Sequence, residues 1–195
     1  MSISIKTPNT ESEVIEAYNF VKDILKLPED HPRNLHFYIN VFYKEPKYIV
    51  IAKEKDEVVG AVLSSEQDEN TLLVGELAVD QKVRKIGLGS KLMNEIEQSA
   101  RILKKKQVLL GALNTAEKFY MKIGYVPKLF VQLSGNNRLD EIKSHISDKI
   151  EWENTGDGFS KVIVDTKGVN KKLQRNIQEE LNAHTQYLFS KNLIQ

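Results

Sequence analysis

Between Lys47 and Asp80 three β-rich runs follow one another with only turn residues between them: KYIVIAKE (47–54), EVVGAVLSSE (57–66) and TLLVGELAVD (71–80). Each is nearly continuously apolar rather than alternating, the pattern of strands covered on both faces. Such a sheet needs helices, and the flanking sequence supplies them. On the N-terminal side SISIK is a short strand, and Thr10 with Glu13 forms a capping box at the head of a helix. Val14, Ala17, Val21 and Ile24 or Leu25 give that helix one apolar face, and Pro28 stops it. PRNLHFYINVFY, from Pro32, reads as a second helix with Leu35, Ile39 and Phe42 inward.

On the C-terminal side Leu88, Leu92, Ile96 and Ala100 lie along one face of a third helix. Lys104, Lys105 and Lys106 fall at its carbonyl end, where cations complement the dipole, and are read as a solvated terminus. QVLLGAL (107–113) is a strand, NTAEKFYMKIG (114–124) a short helix with Gly124 as a left-handed stop, and YVPKLFVQLS (125–134) another strand. The order βααβββαβαβ predicts an α/β fold built in layers.

Beyond Ser134 the pattern loosens. Leu139, Ile142, Ile146 and Ile150 are spaced for a helix between Gly135 and Gly158, FSKVIVDT is a strand, and Val169, Leu173, Ile177, Leu181 and Leu188, with His184, draw one stripe along a long last helix. The expected division is a core over 1–134 and an elaboration over 135–195 that packs on it or forms a homodimer.

The charge balance, 28 Lys+Arg against 27 Asp+Glu for a net +1 in 195 residues, gives no global case for nucleic acid or an acidic membrane surface. There is no cysteine, which excludes disulfides, thiolate metal sites and a cysteine nucleophile. His184 has no second ligand at sensible spacing, so no metal is expected. MSISIKTPNTESE has no signal-peptide pattern and no 18-residue apolar run occurs, so the expectation is a soluble cytoplasmic protein without membrane contact.

One junction carries chemistry. In VRKIGLGSKL (83–92) two glycines stand where a loop becomes a helix, just after two cations. A helix start exposes unpaired N–H groups and partial positive charge, and glycine lets an anion approach the backbone. A dinucleotide fingerprint would need glycine at 92, which is Leu92, and a P-loop would need a Gly-Lys-Ser/Thr triplet that GLGSKL does not contain.

The strand LAVD, then R-x-x-G-x-G as RKIGLG, then an amphipathic helix, a strand and AEKFYMKIGYVP resembles the GNAT superfamily of N-acetyltransferases over Leu72 to Pro127. The resemblance implies a mixed, mostly antiparallel sheet flanked by helices on both faces, here with a helical insertion and a long C-terminal helix. It also implies acetyl-CoA as co-substrate, its pantetheine arm between a splayed fourth and fifth strand. Carried onto this sequence, the backbone from Arg84 through Lys85, Ile86, Gly87, Leu88 and Gly89 to Ser90 would hold the pyrophosphate, and Leu77, Ala78 and Val79 would pair with pantetheine. An N–H near Val79 would polarise the thioester oxygen. Asn114 is either a contact to the pantetheine side or a helix N-cap.

The same resemblance gives Tyr120 the role of acid toward the leaving thiolate, beside the cofactor; the competing reading is a core aromatic, a role that suits Phe119. Glu76, in the strand, is either the base that receives the amine's proton or a carboxylate turned into a salt bridge or an orienting role by a bulge. His36 and Tyr38 lie in the segment that lines the acceptor pocket in the family. The function this implies is direct acetyl transfer from acetyl-CoA to a primary amine, small molecule or peptide; the alternative is an acyl-CoA-binding sensor or scaffold without turnover.

Overall fold

A computed structural model describes residues 2–84 and 86–193. The chain forms two compact units, Met1–Leu109 with Asn192–Gln195, and Leu110–Lys191. The first holds strands β1 (Ile3–Lys6), β2 (Ile49–Glu54), β3 (Glu57–Glu66) and β4 (Thr71–Val79), and helices α1 (Glu11–Leu25), α2 (Leu35–Lys44) and α3 (Leu88–Ile102). β1 to β4 lie in chain order as antiparallel neighbours. β5 (Gln107–Gly111) begins in this unit, where the Gln107 amide donates to the Thr71 hydroxyl at 2.9 Å, and ends in the second.

The three apolar runs become β2, β3 and β4; β2 and β3 are buried on both faces over most of their length, whereas β4 alternates buried positions with half-buried Leu73, Gly75, Leu77 and Val79. One face carries α1 and α2, whose Val14, Ala17, Tyr18, Val21 and Tyr38 pack with Ile49, Ile51, Ala61, Leu63 and Ala78. The other face receives α3. A Cβ on Gly60 would stand 2.9 Å from Leu92 Cδ1, so the absence of a side chain lets α3 settle on β3.

The capping box forms with one difference. Thr10 Oγ1 accepts from Glu13 N at 3.3 Å, while the Glu13 carboxylate reaches back to Asn9 N at 2.9 Å and pairs with Lys6. The lysines after α3 depart from expectation. Lys104 takes φ 57°, which turns Lys105 inward, and Lys105 is buried with Nζ 2.7 Å from Glu66 Oε1, 3.0 Å from the Asp68 carbonyl and 3.2 Å from that of Glu69. It pins the β3–β4 turn.

The second unit holds α4 (Glu117–Lys122), β6 (Val126–Ser134), α5 (Leu139–Lys143), β7 (Lys149–Gly156), β8 (Phe159–Asp165), α6 (Lys171–Leu181) and β9 (His184–Asn192). Its strands stand in the order β9-β6-β8-β7, each pair antiparallel. Two expectations fail here. The helix expected through Ile150 stops at Lys143, and Ile150 lies in β7 opposite Val164. Asp157 and Gly158, with φ 54° and 80°, make a two-residue hairpin loop between β7 and β8, the turn an Asp-Gly pair favours.

The long C-terminal helix also breaks. α6 ends at Leu181, Asn182 takes φ 50°, and His184 and Leu188 belong to β9, paired with β6. Thr185, Tyr187 and Phe189 are buried at every second position, a strand period that overrides the continued helical stripe. No helix among the described residues is long and apolar enough to cross a membrane.

Candidate active site

The glycine junction forms the head of α3. Gly87 is the N-cap with φ 81°, a left-handed conformation that glycine adopts at no steric cost, and a Cβ there would meet nothing within 4 Å. No side chain caps this helix, so the N–H groups of Leu88, Gly89 and Ser90 have no partner inside it. Ile86, Gly87 and Ser90 are exposed, Gly89 is half-buried, and Leu88 anchors the turn in the core. Arg84 is exposed and its Nε donates to the Val79 carbonyl at 3.1 Å, tying the loop to the end of β4. Lys85 lies outside the described residues. A 15-residue helix with a bare, exposed N-terminus and an adjacent guanidinium suits a phosphate anion.

β4 leads into this loop. Leu77, Ala78 and Val79 pair with Val62, Ala61 and Gly60 of β3 on one side. Just before them the register shifts: Glu76 stands opposite Leu63 and Val74 opposite Ser64, so Gly75 is the extra residue of a β-bulge. A Cβ on Gly75 would come within 2.5 Å of the Tyr38 hydroxyl and 2.7 Å of Arg33 Nε. Glycine at the bulge therefore makes room for these two groups to reach the Glu76 carboxylate.

Glu76 is 4 % exposed. It accepts from Arg33 Nε at 3.1 Å and from the Tyr38 hydroxyl, with His31 Nε2 3.9 Å away. Burial, joined by the Glu76 charge, drives the Tyr38 phenol well above its ordinary range, so it holds its proton. Burial works against the charge of Arg33, but the Glu76 carboxylate outweighs it and the guanidinium pKa rises. The result is a matched, hydrogen-bonded ion pair that joins the connection between α1 and α2 to the bulge of β4. His36, by contrast, is exposed.

Tyr120 and Asn114 belong to the second unit. Tyr120 is 7 % exposed, with ring centroids 6.0 Å from Tyr125 and 5.8 Å from Phe189, and its hydroxyl makes no hydrogen bond among the described residues. Burial pushes its pKa up to about 12. Asn114 precedes α4 without capping it, since the helix has no side-chain cap. Its Oδ1 accepts from Lys171 Nζ at 2.9 Å instead, and the same ammonium donates to Glu117 Oε1 at 2.5 Å and Gln174 Oε1 at 3.0 Å.

Several of these partners carry no local signal in the sequence. Arg33 reaches Glu76 across 43 positions, and Lys171 reaches Asn114 across 57. Gly75 was open to recognition, being a glycine inside an apolar strand, where a bulge or a close approach is the usual reason. Among the described residues no group of three or more His, Asp or Glu is placed to hold a metal ion.

Residues 45–127 match the family model described as an acetyltransferase (GNAT) domain. No curated protein matches in sequence. Among solved structures, Ard1 from Thermoplasma volcanium is 17 % identical with a TM-score of 0.54, covering 84 % of this chain and 96 % of its own. An acetyltransferase of the GNAT family from Staphylococcus aureus is 20 % identical with a TM-score of 0.56, over 65 % and 85 %. A GNAT family acetyltransferase from Elizabethkingia anophelis, solved with acetyl-CoA bound, is 16 % identical with a TM-score of 0.51, over 98 % and 97 %. At these identities the likeness is one of fold.

Proposed function

We propose that this chain, whose residues 45–127 match an acetyltransferase (GNAT) domain, is an acetyl-CoA-dependent N-acetyltransferase of that superfamily acting on a primary amine. The observation that carries the reading is the uncapped head of α3, with Gly87 at φ 81° and open space where a side chain would stand. The amides of Arg84 and of Ile86 to Ser90 hold the pyrophosphate of the co-substrate, and the backbone of Leu77, Ala78 and Val79 holds its pantetheine arm. The co-substrate supplies the acetyl group and leaves as a thiol.

Tyr120 keeps its proton at every physiological pH and supplies it to the departing sulfur, a role consistent with a hydroxyl that no described neighbour occupies. Glu76 is committed to Arg33 and Tyr38, so we assign it the orienting role: it fixes the α1–α2 connection against the bulge of β4. The amine's proton then leaves to solvent. Asn114, whose oxygen faces Lys171, offers its amide N–H groups to the pantetheine side.

Two measurements test the reading. Free-thiol release from acetyl-CoA over an unbiased amine panel is expected to find at least one acceptor, whereas a sensor or scaffold would bind acetyl-CoA and release nothing. Gly89→Val puts a branched side chain at the first turn of α3 and is expected to abolish calorimetric acetyl-CoA binding in a folded protein. Unchanged affinity would overturn the loop assignment.

A further inference from the structure

A groove of about 260 Å³ lies within the unit Leu110–Lys191, where the residues after β5, the buried face of α6 and the start of β9 meet. Ala112, Asn114, Gln174, His184, Thr185 and Gln186 line it. Thr185 is 7 % exposed, and its hydroxyl is fully buried without a hydrogen-bond partner among the described residues. A buried hydroxyl left unmatched is costly, so a group that gives it a hydrogen bond is favoured.

The polarity of the groove is set by Lys171. Its ammonium can only donate, so the two amides that meet it turn their oxygens inward: Asn114 Oδ1 at 2.9 Å and Gln174 Oε1 at 3.0 Å. Gln174 Nε2 is thereby left as a donor to the groove, with no hydrogen-bond partner among the described residues, while Asn114 Nδ2 serves the co-substrate in the reading above. The charge of Lys171 is matched by Glu117 at 2.5 Å, and its Nζ also lies 5.3 Å from the centre of the Tyr187 ring. Gly111 admits the Gln186 amide, since a Cβ there would be 2.6 Å from Nε2. The lining is rich in N–H and O–H donors and carries no carboxylate that could welcome a second cation.

We propose that this groove is an acceptor subsite that receives a carbonyl or carboxylate oxygen carried by the amine substrate. The proposal rests on the acetyltransferase reading above and narrows it: the acceptor is an amine bearing an oxygen acceptor, of the amino-acid or amino-amide type. An oxygen-free polyamine brings only donors and further positive charge, and leaves the Gln174 amide nitrogen unmatched.

The test reads binding and turnover separately. The ¹⁵N-labelled full chain is titrated with glycinamide, glycine and putrescine, following the backbone amides of Thr185 and Gln186, and the same amines are assayed for thiol release from acetyl-CoA. Glycinamide or glycine should shift both resonances and bind at least about tenfold tighter than putrescine, the better of the two distinguishing a carbonyl from a carboxylate site. Thr185→Val, which exchanges hydroxyl for methyl at constant shape, should weaken that binding by about fivefold or more while leaving acetyl-CoA affinity alone. Gln174→Leu gives a second, independent loss should Thr185→Val fail to fold.

Putrescine binding as well as glycinamide, or unchanged glycinamide affinity in the folded variants, would overturn the proposal. So would a fall in acetyl-CoA affinity alone, which would give the groove to the co-substrate. Binding that obeys these rules without thiol release from any amine would instead overturn the enzymatic reading and leave the subsite standing.

Discussion

At the scale of the residue, Tyr120 is the point where burial and chemistry pull against each other. Burial with Tyr125 and Phe189 raises its pKa to about 12, which guarantees that the proton is present but makes it a reluctant donor to a thiolate that is itself a fair leaving group. Tyr120→Phe keeps the ring and its packing and removes only the hydroxyl. Turnover is expected to fall within the range of roughly 10²- to 10⁴-fold seen for positioned acids, at its low end, with acetyl-CoA affinity nearly unchanged. Steady-state rates and calorimetry on the one variant decide it: full activity in Tyr120→Phe would leave the residue a core aromatic. The motif around Tyr120 singles the residue out in the sequence and its role is the proposal this variant tests, whereas nothing in the sequence marks the partners of Glu76. A carboxylate in a strand announces neither which side it faces nor which cation meets it, and both were settled here by one glycine at a bulge and an arginine 43 positions away.

At the scale of the element, the first 134 residues were legible because each strand and helix carries a strong local pattern and most terminate at a turn, cap or left-handed residue. β2, β3 and β4 fall inside the three apolar runs, and Lys26 at φ 55° ends α1 before Pro28 is reached. The tail was misread where two periods overlap. Leu173, Ile177 and Leu181 continue in register to His184 and Leu188, so the helical stripe outlives the helix, while Asn182 and the alternating Thr185, Tyr187 and Phe189 mark the change to a strand. Lys105 shows the same limit in charge: three consecutive lysines look solvated until the backbone turns the middle one inward. Ile177 is fully buried within the single chain, so α6 needs no second copy to cover this face. Ile177→Asp should therefore destabilise the protein by upwards of about 3 kcal/mol, because an unpaired carboxylate would replace a fully buried branched aliphatic side chain. Urea unfolding checks this, and a variant as stable as the wild type would mean that α6 detaches without consequence.

At the scale of the whole molecule, the ion pairs and buried phenols set a window of pH in which the fold is at its strongest. Glu66, held by Lys105 and Lys44, has its pKa lowered to about 2 from an ordinary 4.5. In unfolded chain that carboxylate takes up its proton near 4.5, so between 4.5 and 2 the unfolded state binds more protons and stability declines as the pH falls. Glu13 and Glu141 are lowered too, Glu13 through Asn9 and Lys6 against the opposing effect of burial, and Glu141 through Arg138, and they add to the same limb. Tyr120, raised by burial to about 12 from 10.0, acts at the other end: its contribution is complete below pH 10 and is lost as the pH rises toward 12. Tyr38, raised by burial and by Glu76, extends that loss in the same direction. Urea unfolding across pH should give a plateau from about 5 to 9 with both limbs falling away. Glu66→Gln isolates one contribution, since it keeps the shape of the side chain while removing the proton site. Because Glu66 is about one-third exposed, half-molar salt should weaken its contribution in the wild type and have less effect in the variant. The acid limb of Glu66→Gln should be shallower than that of the wild type between pH 4.5 and 2, and an identical slope would show that the Lys105–Glu66 pair does not link the β3–β4 turn to the stability of the fold.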